Sequence, residues 1–180
     1  MKSIAGMLIL AVLATVAAHG ADDAKSVALV RAMRTDEIAV AAAKYAFLSG
    51  SLNERYGKVN KSCVKRIPYA DFTAGWARVV ESVLSPSEIE TSLAFFQSDA
   101  GVKYVEGLLR RLRTRQGASS ELPEVAGKED ITPAQIAAIS DFSRTDLGRK
   151  VMGKDLTLSP AAEALGTQTT AQIAAKCGGK

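Results

Sequence analysis

The sequence predicts a single all-α domain containing a duplicated helix–bend–helix unit, and three observations carry that prediction. First, a helix start is written twice. Leu84-Ser85-Pro86-Ser87-Glu88-Ile89 and Ile131-Thr132-Pro133-Ala134-Gln135-Ile136 align without a gap, Leu84 on Ile131, and the alignment continues to Lys103 and Lys150. Second, the apolar residues that follow recur at spacings of three and four, which is one face of an α-helix. Third, the alanine-rich run from Ala39 to Ala46 favours helix by propensity. Six to eight helices are expected.

The first twenty residues read as a signal peptide. Lys2 supplies the positive start, and Ile4 to Ala18 is apolar and uncharged. Ala18-His19-Gly20 places small residues at the −3 and −1 positions for cleavage after Gly20, with cleavage after Ala18 as the alternative. No cysteine lies nearby, so a lipoprotein signal is excluded. No later stretch is apolar and long enough to span a bilayer. Residues 21–180 are thus expected as one periplasmic domain. A retained leader serving as an anchor is the competing expectation. The leader takes with it His19, the sole histidine, and one unit of the formal net charge of +4. A chain without histidine has no Ser-His-Asp or Cys-His site and no imidazole metal ligand.

In chain order, Asp22 or Asp23 caps a first helix led by Val27, Val30 and Met33. Thr35-Asp36-Glu37 restarts a second, with Ile38, Ala41, Tyr45 and Leu48 as its apolar face. Ser49-Gly50 breaks it. Leu52 to Arg66 is polar and basic and serves to deliver Cys63. Pro68 precedes a helix with Phe72, Trp76, Val79 and Val83 on one stripe. There the sole tryptophan reads as core and not as a ligand-stacking surface.

The repeat units span about 84–107 and 131–154. Ser85 and Thr132 are N-caps, and Glu88 and Gln135 complete their capping boxes. Pro86 and Pro133 take the first helical position. Leu84 with Ile89, and Ile131 with Ile136, form hydrophobic staples. Ile89, Leu93 and Phe96 make the buried stripe of one copy; Ile136, Ile139 and Phe142 make that of the other. Ser98-Asp99 and Thr145-Asp146 then read as second N-caps with an acid in the first turn. Gly101 and Gly148 let the second helix close on the first under the aromatic residues Phe95 and Phe142. Lys103 and Lys150 stand four residues after Asp99 and Asp146, the spacing of helical ion pairs.

Val102, Val105, Leu108, Leu109 and Leu112 form the core stripe of the helix after Gly101. That helix ends in Arg110, Arg111, Arg113 and Arg115, the densest charge in the chain. Such runs are usually solvated and complement the helix dipole. The sharper alternative is an anion-binding site, since arginine forks suit phosphate, anionic lipid or polymer. No aromatic residues interleave the cations, which argues against nucleic acid. Gly117 to Asp130 is a linker longer than a usual helix–helix connection and is expected to be mobile. Neither repeat closes a core alone, so the two are expected to pack together. Leu158-Ser159-Pro160-Ala161 is a third, degraded start. Ala162 replaces the box residue and Glu163 the staple. Its helix runs towards Lys176 and ends at Cys177-Gly178.

The pattern L-S-P-x-E-I followed by F-x-S-D-x-G-x-K, carried here from Leu84 to Lys103, resembles the bacterial family called domain of unknown function 2059. The resemblance is clearest from about Phe72 to Leu112. The second copy departs from it at Ser143, where Phe96 stands in the first. It breaks off at Gly153, where the first continues helical. The resemblance implies a small, exported, helical protein. It implies no activity, substrate or catalytic residue.

Two cysteines in an exported chain are most simply one disulfide, Cys63–Cys177. They show no C-x-x-C context that would mark a redox pair. There is no P-loop, dinucleotide loop, calcium loop or nucleophile elbow, so no cofactor or metal is expected. Asp99 and Asp146 are equivalent acids that symmetric packing could bring together, but each already caps a helix. The expected function is therefore a non-catalytic binding module of the cell envelope, with a groove between the repeat hairpins and the arginines at its rim. Its partner would be an envelope protein or an anionic or apolar small ligand. The alternative is a histidine-free, carboxylate-based hydrolase of envelope glycans.

Overall fold

The computed structural model describes residues 23–116, 122, 125, 130–153 and 155–178. The expected signal peptide with its expected cleavage point, Asp22 and most of the linker lie outside them. Among the described residues the chain is α-helical and forms no strand. A first helix, α1 (23–33), leads to α2 (Thr35–Ser49), α3 (Asn53–Tyr56) and α4 (Lys61–Lys65). A 3-10 turn (Tyr69–Phe72) enters α5 (Thr73–Val83). Then follow α6 (Pro86–Gln97), α7 (Asp99–Gln116), α8 (Pro133–Arg144), α9 (Asp146–Met152) and α10 (Pro160–Cys177). The count of ten exceeds the expectation because the polar connection Leu52–Arg66 coils into two one-turn helices.

The helix starts follow from local chemistry. Ser85 accepts from the Glu88 amide, and the Glu88 carboxylate accepts back from the Ser85 N–H at 2.7 Å. Thr132 and Gln135 repeat both bonds, at 3.2 and 2.9 Å. Ser98 accepts from Gly101 N–H, and Thr145 from Gly148 N–H. Ser159 caps α10 by accepting from Ala162. Each bond satisfies an amide that the helix itself leaves open. At both tight bends glycine is obligatory. A Cβ on Gly101 would collide with the Phe95 carbonyl oxygen, and one on Gly148 with that of Phe142.

Two groups of helices share one core. In the first, α10 packs on α5, α2 and α4, while α2 also meets the 3-10 turn. The Cys63–Cys177 disulfide, Cα atoms 5.5 Å apart, ties α4 to the end of α10. Asn60 N–H donating to the Cys177 carbonyl at 2.8 Å reinforces that link. In the second group, α6 packs on α7, α7 on α8, α8 on α9, and α9 back on α6. At its centre Phe95 stacks on Phe142, with Phe96 edge-on to both. The contact of α5 with α6 joins the groups. One continuous apolar cluster runs from Leu29 through Phe47, Trp76, Phe96 and Leu109 to Ile173.

Several expectations need correction. The fully buried face of α2 is Thr35, Asp36, Val40, Ala41, Lys44 and Phe47; of the expected face only Ala41 is among them, with Ile38, Tyr45 and Leu48 partly covered at its edges. An alanine-rich helix offers little apolar contrast, and tertiary partners decide its rotation. Asp36 accepts from the Thr73 hydroxyl. The Lys44 ammonium, 2 % exposed as a residue, donates to the Lys65 carbonyl at 3.0 Å over the Tyr69 ring. In α8 no residue is buried: Ile136 is 56 % exposed and Ile139 and Phe142 are partly covered, while Ile131, just ahead of the helix, is 37 % exposed. Nothing described lies beyond α8 to cover that stripe, whereas α6 has α5 behind it. Val102 likewise faces outward, at 43 % exposure. The expected Asp–Lys pairs do not form. Lys103 turns to Glu106 at 3.2 Å and Lys150 to Glu88 at 2.9 Å, while Asp146 pairs with Arg149. From the linker, Leu122 is buried and its carbonyl accepts from Arg113 at 3.0 Å, so the connection is docked at that point.

Candidate functional site

A cleft of about 370 Å³ lies between the two hairpins, where α8 crosses α7. Lys103, Tyr104, Gly107, Arg110 and Arg111 form one wall, and Ile131 and Ile139 the other. It continues along α7 into a hollow of about 300 Å³ bordered by Gly107, Arg110, Arg111, Thr114 and Arg115. The first volume is at the small end for a ligand site, and the mixture of an apolar wall with a few fixed charges is typical of one.

The local sequence explains each wall. Lys103, Gly107, Arg110, Arg111 and Thr114 follow at helical spacing on the side of α7 opposite its buried Gly101, Val105 and Leu109. Glu106 sits between Lys103, at 3.2 Å, and Arg110, at 3.4 Å, and holds both long side chains in place. Arg111 folds back so that its Nε donates to the Gly107 carbonyl. Burial pushes the Tyr104 phenol above its ordinary pKa, with the Arg111 cation pulling the other way, so it remains a neutral hydroxyl near pH 7. Gly107 leaves the floor flat: a Cβ there would meet nothing within 4 Å.

Of the four arginines expected to act together, Arg110, Arg111 and Arg115 border this groove. Arg113 points away and binds the Leu122 carbonyl. Lys103, Tyr104, Gly107, Ile131 and Ile139 were not expected at a site. The one legible signal was Gly107, a glycine inside a strong helical pattern. The other matched residues, namely Ser85, Pro86, Glu88, Asp99, Gly101, Thr132, Pro133, Gln135, Asp146 and Gly148, serve caps and bends.

The carboxylates are poorly placed for acid–base work. Glu88 is drawn down from an ordinary 4.5 to about 2, first by the hydrogen bond from Lys150 and then by those from Ser85. It is therefore an anion throughout the physiological range. Asp99 and Asp146 are exposed in the first turns of α7 and α9. A second hollow beside α9, lined by Ser143, Asp146, Arg149, Lys150, Met152 and Asp155, is larger at about 680 Å³. Its lining is charged and glycine-rich, with Met152 as the one large apolar side chain, and Asp146 already pairs with Arg149 there. Among the described residues no cluster of three or more His, Cys, Asp or Glu forms, and both cysteines are in the disulfide.

No family model matches the chain, and neither a search of curated proteins nor one of solved structures finds a match.

Proposed function

We propose that this protein is an exported, periplasmic binding module of the domain of unknown function 2059 type, built by duplication of a helix–bend–helix unit. It holds its partner in the α7–α8 groove without catalysis. The observation that carries this is the pairing of an apolar wall, Ile131 and Ile139, with a cationic one, Lys103, Arg110 and Arg111. An amphiphilic anion, whether peptide or small molecule, satisfies both at once. The disulfide supports an oxidising compartment. No described helix is long and apolar enough to cross a membrane. A glycan hydrolase would need a carboxyl kept protonated near neutral pH as its acid, and Glu88 is held in the opposite state.

Native mass spectrometry of the exported protein tests this. The expected result is a chain starting at Ala21, two hydrogens light, carrying a non-covalent partner that Gly107→Leu removes. A bare, monomeric chain in both forms would overturn the reading.

A further inference from the structure

We infer that the occupant of the α7–α8 groove is an acidic amphipathic helix of a partner protein, an inference that rests on the groove being the binding site. The cations do not converge on a point. Lys103, Arg110, Arg111 and Arg115 are spread along α7, about 18 Å of helix at 1.5 Å per residue. A lone carboxylate or phosphate engages one such fork, whereas acids repeated along a helix engage the series. The facing wall supplies the complementary apolar strip, Ile131 and Ile139, with Ile136 exposed on the same helix.

Gly107 is the second observation. Glycine weakens a helix interior, and at Gly101 and Gly148 a collision explains its presence. At Gly107 no described neighbour requires it, and the residue borders both halves of the groove. The open floor lets another helix approach the α7 backbone closely.

Lys103 is the third. Its counterpart Lys150 is held by Glu88 at 2.9 Å. The counterpart of Glu88 is Gln135, which has no charge to draw Lys103 in the same way, and Lys103 stays at the groove. Glu106 is shared by Lys103 and Arg110, while Arg111 and Arg115 add further cations along the groove, which therefore complements an acidic partner.

The test uses a fluorescent synthetic helix of about 18 residues, with leucines at i, i+3, i+4 and i+7 flanked by glutamates. A scrambled peptide of the same composition and vesicles of phosphatidylglycerol are the comparators. Anisotropy titrations of the exported protein should show the amphipathic helix binding about tenfold or more tighter than the scramble. Gly107→Leu, and separately Arg110→Ala with Arg111→Ala, should each weaken it by a similar factor, with thermal melts showing both variants folded. Equal binding of the scramble, or indifference to both variants, would overturn the inference. So would binding to vesicles without binding to the peptide. If a small ligand instead co-purifies with the wild type and is lost in Gly107→Leu, while the peptide fails, the groove stands and its helical occupant falls.

Discussion

Phe95 and Phe142 lie face to face, ring centroids 3.9 Å apart and planes 6° from parallel, and they align with each other in the gap-free match of Leu84–Lys103 to Ile131–Lys150. The contact joins the α6–α7 hairpin to the α8–α9 hairpin. The stack should then behave as a coupled pair. In a double-mutant cycle, Phe95→Ala and Phe142→Ala should couple by about 0.5–1.5 kcal/mol. Denaturant unfolding of the four proteins reads this directly, and simple additivity would leave the stack without a role in joining the hairpins.

Three glycines separate folding from binding. Gly101→Ala and Gly148→Ala force a methyl into a backbone carbonyl and should each destabilise by about 1–3 kcal/mol or more. Gly107→Ala should instead stabilise by roughly 0.5–1 kcal/mol, because its Cβ enters open space and alanine is the better helix former. Thermal melts of the three variants should split in sign. A loss of stability at Gly107 would mean that internal packing, and not a partner, sets that glycine.

The Glu88–Lys150 pair makes a pH prediction whose sign is fixed. Folding lowers the Glu88 pKa from 4.5 to about 2, so the folded chain binds fewer protons there than the unfolded one. The stabilisation is fully present above pH 4.5 and is lost as the pH falls through about 2. Glu88→Gln should keep the capping box, as Gln135 does in the second copy, while removing the charge that attracts Lys150. The stability gap between wild type and Glu88→Gln, from urea unfolding, should narrow as the pH falls across that window. A gap independent of pH would contradict the pairing.

The disulfide closes a loop between residues 114 positions apart. Opening such a loop costs on the order of 4–5 kcal/mol in the chain-entropy model. Cys63→Ala with Cys177→Ala should lower unfolding stability by about 2–5 kcal/mol. The helical spectrum of the folded state should persist, since Asn60 still donates to the Cys177-position carbonyl. Unchanged stability would show that the α4–α10 join is held by packing alone.

What the sequence made legible was whatever is decided within a few residues. The boxes at Ser85 and Thr132, the caps at Ser98, Thr145 and Ser159, and the bends at Gly101 and Gly148 all depend on neighbours in the chain. The rotation of α2, which buries Lys44 and leaves Ile38 only partly covered, depends on Thr73, Lys65 and Tyr69 arriving from elsewhere. The same is true of Lys103 and Lys150, whose helical spacing pointed to Asp99 and Asp146 but whose partners are Glu106 and Glu88. A groove with arginines at its rim was expected, and Arg110 and Arg111 line the cleft between α7 and α8. Its apolar wall was not expected, because Ile139 carries the same periodicity whether α8 is covered or bare. Arg113 belongs to the densest charge run yet faces the Leu122 carbonyl, a separation that only the fold can make.

The most direct measurement is a backbone amide NMR map of the exported protein, titrated with the acidic amphipathic peptide. The account predicts shifts concentrated at Lys103, Tyr104, Gly107, Arg110, Arg111, Ile131 and Ile139. Shifts centred instead on Ser143, Arg149 and Asp155 beside α9, or no shifts at all, would contradict it.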